Sequence, residues 1–297
     1  MAGFVLYNGF WNRREIPDPV RRLCDAGRAL GFPMEPRPNT AFTATVNGAV
    51  HAEGVRSGDV VLCWDKDVRL LRAMEAGGVH VYNSADGVAV CDDKAATHLR
   101  LGQAGLPMPR TLIAPMTYVQ FDDAGDGFLA AAAKTLGFPM VLKECFGSLG
   151  EQVYLVKSAE ELRMLASSMN AKPFILQEFI RESAGTDKRL YVVGDRVVAA
   201  MRRRSESDFR ANIGSGGHGE GYNPTPQEAA LALTACRVLG LHFGGVDLLD
   251  SARGSLICEV NASAHMAALT ACTGVDVARE IVSYVMQKEK AYANSNS

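Results

Sequence analysis

The chain has 297 residues, of which 47% are hydrophobic and 22% charged, an ordinary composition for a globular protein with apolar material for two or three compact units. The net charge of -2 gives no electrostatic reason to expect a nucleic acid or a membrane as partner. Seven scattered cysteines without a C-x-x-C pair argue against a zinc site or a disulfide framework. With no signal peptide at residues 1–4 and no apolar run of roughly 18 residues, these features predict a cytoplasmic protein.

The first 90 residues alternate short apolar runs with stretches of helical spacing. Strands are expected at 4–7, 60–64 and 79–82, and helices at 19–30 and 68–75. Strands that alternate with helices predict an open parallel α/β sheet, which forms a first domain over residues 1–90.

A second unit is expected over residues 91–185. Asp92, Asp93 and Lys94 open a helix that ends near Gly105, since acidic residues suit a helix start. The order strand, helix, strand, strand, helix, strand follows, with the clearest strands at 141–143, 153–156 and 174–179. This pattern predicts a small α+β unit rather than a continuation of the first sheet.

The remaining residues, 186–297, form a third predicted unit. Runs at 189–193 and 197–201 flank Gly194-Asp195, a strong hairpin signal. A mobile loop is expected at 202–223, helices at 226–239 and 275–286, and a disordered end at 291–297.

Two apolar runs in this third unit carry hard oxygen ligands. Asp247 lies in one run, and Glu259 and Asn261 lie in the other. The turn residues 251–254 between them predict a hairpin, which would bring Asp247 opposite the other two side chains. Two carboxylates and an amide oxygen suit Mg²⁺, which shares its shell with substrate phosphates. The hairpin therefore predicts a nucleotide-linked metal site, and a surface hairpin with solvated acids is the alternative.

A lysine and a glycine-rich turn indicate a phosphate site. Lys143 lies in an apolar strand just before the turn 146–150, whose backbone N–H groups can lie over phosphates. An ammonium group in such a strand needs a partner, and a phosphate is a natural one. The alternatives are a lysine that reaches solvent from an edge strand and an ordinary hairpin turn.

Two further segments have a functional and a plain interpretation. The strand end 177–180 can offer an adenine its backbone donor and acceptor, or it is a simple exit into a loop. An arginine cluster can bind carboxylates and phosphates, or it is a solvated run; a nucleic-acid patch is disfavoured because aromatics are not interleaved. The cluster comprises Arg189, Arg202, Arg203, Arg204 and Arg210.

In this order and spacing, the segments 176–180, 187–195, 208–212, 245–247 and 259–261 resemble the ATP-grasp superfamily, and within it the RimK-like (alpha-L-glutamate ligase type) carboxylate–amine ligases. The resemblance is strongest over residues 92–286, and the first 90 residues match less clearly. It implies an α/β and α+β chain with an ATP-grasp fold behind an N-terminal open parallel α/β domain, the pre-ATP-grasp domain.

The resemblance also implies a role for each matched position. The nucleotide would be held by Lys94, Lys143, Gly147, Ser148, Gly150, Gln177, Glu178, Phe179, Ile180, Asp187, Arg210, Ala211 and Asn212. The lysines would bind phosphates, with the turn 147–150 as a lid. Arg189, Arg203 and Arg210 would be catalytic, with Arg202 as an alternative to Arg203. Two Mg²⁺ ions, with Mn²⁺ as a substitute, would be bound by Asp247, Glu259 and Asn261.

The implied reaction needs no protein nucleophile. A carboxylate acceptor, on a small molecule or a protein tail, would attack ATP to give an acyl phosphate, and an amino acid such as glutamate would then displace phosphate. A homo-oligomer, dimer or tetramer, is typical of the family. The alternatives are an ATP-grasp phosphotransferase and a non-catalytic ATP-binding regulatory protein. An NAD-dependent enzyme is disfavoured, because no G-x-G-x-x-G follows the first strand.

Two segments depart from the common pattern. Residues 262–265 replace the Ser-Pro-Gly that follows the asparagine in many relatives, which leaves the amino-acid substrate open. Residues 64–67, at the end of a predicted parallel strand, can belong to an unusual acceptor site or can be a helix start capped by Asp65.

Overall fold

The computed structural model describes residues 2–10, 15–148, 150–211 and 216–295. Its first part contains β1 (Gly3–Tyr7), α1 (Asp18–Ala29), β2 (Met34–Pro38), β3 (Thr43–Val46), β4 (Val50–Glu53), β5 (Val60–Cys63), α2 (Val68–Ala76), β6 (His80–Tyr82) and α3 (Ala85–Asp92).

Four of these strands form a parallel sheet in the order β2-β1-β5-β6. All four residues of β5 are buried, as expected for a central strand covered on both faces. Pro36 and Pro38 lie in β2 at the sheet edge, where a missing N–H is tolerated. The expected parallel sheet is thus present. The sequence did not predict β2 or the antiparallel β3–β4 hairpin.

The residue that caps the helix after β5 is not the one expected from the sequence. Asp67, not Asp65, caps α2 by accepting a hydrogen bond from Leu70 N. Asp65 is buried and accepts hydrogen bonds from Lys66 N and Asn8 Nδ2 instead. The interpretation of Asp65 as the helix cap is therefore wrong.

The middle part has the expected order of elements. It contains α4 (Lys94–Gln103), β7 (Thr111–Ile113), α5 (Asp126–Leu136), β8 (Met140–Glu144), β9 (Val153–Val156), α6 (Ala159–Ser168) and β10 (Phe174–Glu178). The strands form an antiparallel sheet in the order β7-β10-β8-β9. Asp93 caps α4 by accepting from Ala95 N and Ala96 N, whereas Asp92 ends α3.

The last part is a five-stranded antiparallel sheet in the order β13-β12-β11-β14-β15. Its elements are β11 (Thr186–Val193), β12 (Arg196–Arg204), β13 (His218–Gly221), α7 (Pro226–Val238), β14 (Phe243–Leu249), β15 (Leu256–Asn261), α8 (Ala267–Thr273) and α9 (Val277–Ser295). Thr225 and Glu228 form a capping box at the start of α7.

Three expectations for this part are corrected. Residues 202–204 continue β12 and residues 218–221 form β13, because the two strands pair with each other, so the segment 202–223 is not one loop; its residues 212–215 lie outside the described residues. The closing helix runs to Ser295, beyond the predicted 286, and takes up most of the end predicted to be disordered; residues 296–297 are not described. The short helix α8 was not predicted.

The two faces of β11 carry different charged networks, since neighbouring residues point to opposite sides. Lys188 lies on the face that packs against α7. Its Nζ is 2.7 Å from Oε1 of Glu228 in α7 and 2.5 Å from Oδ1 of Asp250, which follows β14. Asp187 and Arg189 lie on the other face.

The middle sheet has a hydrophobic core of its own, made of residues between 121 and 176. The first and last sheets instead share two cores, in which β1 and β5 residues pack with residues of β11, β14 and α9. Domain boundaries at 90 and 185 stay a prediction. None of the described helices is long and apolar enough to cross a membrane.

Candidate active site

A cleft lies between the middle sheet and the last sheet. Its unfilled space amounts to about 740 Å³, part of it open to solvent. It is lined by Lys94, Val141, Lys143, Gly150, Val153, Gln177, Glu178, Phe179, Ile180, Ser183, Thr186, Asp187, Phe209, Arg210, Ala211, Asp247, Leu249, Cys258 and Glu259. The size is that of a small-molecule site, and most of the predicted site residues meet there.

The hairpin β14–β15 supplies the acidic wall of the cleft. Asp247 pairs directly with Glu259 across the hairpin, as its turn predicted, and Asn261 lies opposite Gly245. Asp247 is 3% exposed, whereas the side chain of Glu259 is 35% exposed. Asn261 lies beyond the cleft lining among the described residues.

Arginines hold the carboxylate of Asp247. Arg189 donates to it twice, from Nε and Nη2 at 2.7 Å, and Arg203 Nη2 donates at 2.8 Å. Burial alone would raise the pKa of Asp247, but the two guanidinium groups outweigh burial and lower that pKa. Asp247 is therefore ionised and oriented before any ligand binds.

Arg203 also holds Asp187, to which it donates from Nε and Nη2 at 2.6 Å. Its side chain is only 5% exposed, and neither Arg203 nor Arg189 lines the cleft among the described residues. The ion-paired chain Arg189–Asp247–Arg203–Asp187 therefore reaches the cleft through its two carboxylates. Direct substrate contacts of the two arginines stay predictions.

Two lysines make the part of the cleft next to Glu259 cationic. Lys94 and Lys143 are 8% and 7% exposed. Lys143 Nζ lies 3.5 Å from Cys258 Sγ, and Lys94 Nζ lies 3.9 Å from Glu259 Oε1. Two buried ammonium groups with only these weak partners among the described residues favour an anionic ligand such as a phosphate.

The end of β10 forms the apolar end of the cleft. Ile180 is buried there, beside Val141 and Leu249. The carboxylate of Glu178 accepts a hydrogen bond from Arg110 N at 3.2 Å and pairs with Arg253, while Glu178 N donates to Arg110 O.

A comparison of the sequence with known protein families identifies the domain that contains this cleft. The family model of the RimK-like ATP-grasp domain matches residues 91–285. The chain belongs to the RimK-like ATP-grasp family.

Relatives and solved structures agree with this assignment. The RimK-like protein is similar to a probable alpha-L-glutamate ligase of Thioalkalivibrio sulfidiphilus, with 37% identity over 92% of this chain and 93% of that one. Its fold is similar to a RimK domain ATP-grasp protein of Sphaerobacter thermophilus, with a TM-score of 0.74 and 22% identity over 95% and 99% of the chains. It is also similar to the ATP-grasp ligase PsnB complexed with minimal precursor, Mg and ADP, with a TM-score of 0.68 and 19% identity over 97% and 98% of the chains. The expected ATP-grasp fold is confirmed.

Membership of this family implies use of ATP and a divalent metal. No group of three His, Cys, Asp or Glu side chains within the described ranges can hold a metal ion by itself. Asp247 Oδ1 accepts a single hydrogen bond and keeps one acceptor position, and Glu259 has only its distant contact with Lys94. These residues fit Mg²⁺ that takes its other ligands from phosphates and water.

The glycine-rich turn between β8 and β9 contacts the segment that follows β12 through an arginine. Arg210 donates from Nη1 to Gly150 O and from Nε and Nη2 to Asp208. Gly147 and Ser148 lie beside this contact, with Ser148 N donating to Gln152 Oε1, and they do not line the cleft. Asn212 lies outside the described residues.

The sequence analysis did not predict the apolar lining of the cleft, two hydroxyl side chains and one cysteine. The missed residues are Val141, Val153, Ser183, Thr186, Phe209, Leu249 and Cys258. Leu249 is two residues from Asp247, so strand alternation could have placed it on the same face. Cys258 could not be found in this way, because a β-bulge between Asp247 and Leu248 shifts the register and turns Cys258 into the cleft beside Glu259.

Proposed function

We propose that this chain is an ATP- and Mg²⁺-dependent carboxylate–amine ligase. It joins a carboxylate acceptor to an amino acid, glutamate or a similar one, and releases ADP and phosphate. The observation that carries the proposal is a cleft in which two buried lysines lie close to the Asp247–Glu259 pair. The similarity to probable alpha-L-glutamate ligases supports glutamate as the amino acid.

The cationic side of the cleft is suited to the phosphates of ATP. The ammonium groups of Lys94 and Lys143 are held by α4 and β8, two elements that meet where Lys94 N donates to Cys145 O at 3.0 Å. Because both groups are largely shielded from water, they stabilise phosphate charge more strongly than exposed lysines would. The apolar lining at the other end takes the purine.

The acidic side is suited to the metal. Mg²⁺ bound there would offset the negative charge that builds up on the transferred phosphoryl group. Glu259 supplies the accessible carboxylate, and the arginines fix the orientation of Asp247. Two Mg²⁺ ions would be held by Asp247, Glu259 and Asn261, and this ligand set forms part of the proposal.

Arg189 lies where the acceptor carboxylate can be recognised. Its Nε and Nη2 are bound to Asp247, and within the described residues Nη1 has no partner. The side chain is 12% exposed, and no buried side-chain nitrogen of the described residues lacks a hydrogen-bond partner, so Nη1 is in contact with solvent. A guanidinium N–H donates well to a carboxylate, which supports an acid as the acceptor.

The proposed chemistry has two balanced steps. An acceptor carboxylate oxygen attacks the γ-phosphorus, the bond to the β-phosphate oxygen breaks, and ADP leaves with an acyl phosphate remaining. The amine nitrogen of the amino acid then attacks the acyl carbon, the carbon–oxygen bond breaks, and phosphate leaves while the amine loses a proton. No protein nucleophile is used, and exclusion of water protects the acyl phosphate.

A product screen tests the proposal. ADP and phosphate release are measured for the common amino acids against carboxylate acceptors, including peptides, and products are identified by mass spectrometry. An amide product with one phosphate released per bond supports the ligase. A stable phosphorylated product would establish a phosphotransferase, and no nucleotide turnover with any acceptor would favour a regulatory protein.

The metal assignment has its own test in Glu259→Ala. We expect turnover to fall by about a thousandfold or more, because the accessible metal carboxylate is lost, while the circular dichroism spectrum stays native. Glu160→Ala, on the exposed surface of α6, is the matched control and should leave turnover unchanged. Turnover at the wild-type rate in Glu259→Ala would refute the assignment.

A further inference from the structure

His98 is a buried histidine in the second turn of α4, one turn beyond Lys94. It is 6% exposed, and both ring nitrogens have partners. Nδ1 lies 2.7 Å from Lys94 O, and Nε2 lies 2.9 Å from Gln177 Nε2. The ring therefore connects the backbone of a cleft lysine with the strand that leads to Glu178.

These partners determine the tautomer. A carbonyl oxygen only accepts, so Nδ1 carries the proton and donates to Lys94 O. Nε2 is then the acceptor for one N–H of the Gln177 amide, whose other N–H donates to Thr111 Oγ1 at 2.9 Å. Thr111 Oγ1 donates in turn to Pro109 O. Each buried donor in this chain has an acceptor, and the chain joins α4, β10 and β7.

The ring is also held neutral. Burial and the nearby charge of Lys143, followed by that of Lys94, lower the pKa of His98 to about 4 although the bond to Lys94 O opposes this. Within the described residues, the groups that act on the ring by hydrogen bond or charge are Lys94, Lys143 and Gln177, and none of them is a carboxylate. At neutral pH, Nε2 therefore remains an acceptor.

Both backbone polar groups of Lys94 are held by hydrogen bonds to other residues. Its N–H donates to Cys145 O, at the base of the lid turn, and its C=O accepts from His98. Gln177 is 2% exposed, and the two N–H groups of its side-chain amide are bonded to His98 and Thr111. These N–H groups are therefore not available to a ligand in the cleft. The phosphate end and the purine end of the cleft are joined through one imidazole.

We propose that His98 is a positioning residue for nucleotide binding, which sets the distance between Lys94 and the purine-binding end of β10. This inference rests on the proposed function, because it takes the cleft to be the nucleotide site. Loss of Nε2 leaves a buried N–H of Gln177 without an acceptor. The amide then turns or the end of β10 moves, and either shift displaces Glu178 to Ile180 relative to Lys94.

Binding of Mg-ADP to the full chain, measured by calorimetry at pH 7.5, tests the inference. His98→Leu replaces the ring by an apolar side chain of similar size without its two nitrogens, and we expect binding on the order of tenfold weaker because Glu178 to Ile180 are displaced. His98→Gln carries a carbonyl oxygen that can accept from Gln177, and it should bind within about threefold of wild type.

A second histidine provides the matched control. His242 is partly buried, has a lowered pKa because of burial, and its Nδ1 lies 3.0 Å from Tyr284 Oη outside the cleft. His242→Leu should lower the melting temperature and leave the affinity for Mg-ADP unchanged. If His98→Leu fails to fold, Thr111→Val removes the other acceptor of the same amide and should weaken binding about threefold.

Each result of these binding measurements supports or overturns the positioning role of His98. Wild-type affinity in folded His98→Leu, or in Thr111→Val, overturns the positioning role, as does equal weakening in His98→Gln and His98→Leu. Weakening in His242→Leu of the same size would show a general effect of lost stability and also overturn it. If the wild-type chain binds no Mg-ADP, the proposed function itself fails and this inference fails with it.

Discussion

Removal of the Arg203 side chain should destabilise the protein far more than removal of an exposed arginine with as many partners. Arg203 is 5% exposed and makes three hydrogen bonds of 2.6–2.8 Å to Asp187 and Asp247. Arg203→Met fills most of the same space but leaves two carboxylates buried close together. A buried ion pair broken on one side costs about 3–5 kcal/mol, and Asp247 keeps Arg189 as a partner, so we expect about 3 kcal/mol.

Arg163 is the matched control. It also pairs with two carboxylates, those of Asp123 and Asp126, but its side chain is 50% exposed. Exposed pairs contribute about 0–1 kcal/mol, so Arg163→Met should change the free energy of unfolding by no more than that. Urea denaturation at pH 7 measures both variants. Equal losses in Arg203→Met and Arg163→Met would refute the reasoning.

A second substitution separates charge from packing. Asp187→Asn in the Arg203→Met background removes the carboxylate that has lost its partner, and we expect it to restore about 1–2 kcal/mol. No recovery would mean that the loss in Arg203→Met comes from packing and not from a buried charge.

Three further predictions concern stability. Gly245→Ala should cost about 1–3 kcal/mol in thermal unfolding, because its new Cβ would lie 2.6 Å from Ala264 Cβ, and Ala264→Gly should recover most of the loss; no recovery would contradict this packing account. Because the pKa of His98 is lowered to about 4 in the folded chain, its contribution is fully present above the unfolded value of 6.5 and is lost as the pH falls from 6.5 towards 4. The free energy of unfolding of His98→Leu should therefore depend less on pH in that window than that of the wild type, and equal slopes would refute the shift. Thr225→Ala removes the side-chain half of a capping box and should cost about 1 kcal/mol in urea, whereas a neutral effect would show that α7 does not depend on its cap.

Strand periodicity predicted the acidic wall of the cleft well. Asp247 and Glu259 lie in apolar runs joined by a turn, so their pairing followed from hairpin geometry. The helix cap before Lys94 was equally local, since Asp93 bonds to N–H groups two and three residues ahead. Features that depend on neighbours in sequence were therefore accessible without a structure.

Features that depend on distant partners were not accessible in this way. The partners of Arg203 are 16 and 44 residues away along the chain, and the sequence does not indicate that its side chain binds two carboxylates of the protein itself. Strand β13 became recognisable only by its pairing with β12, because its sequence, His-Gly-Glu-Gly, has no strand propensity. Cys258 entered the cleft through a bulge, which no periodic pattern encodes.

The charged side chains on the two faces of β11 stabilise the correct strand register of the last sheet. A shift by one residue would turn Lys188 towards Arg203 and would bury Asp187 and Arg189 against α7. Each misplaced group would lose its partner in the interior, at a cost of several kcal/mol. The same charges that prepare the site for its ligand therefore also make the misaligned sheet unfavourable, so correct strand pairing and a correctly assembled site are one event in folding.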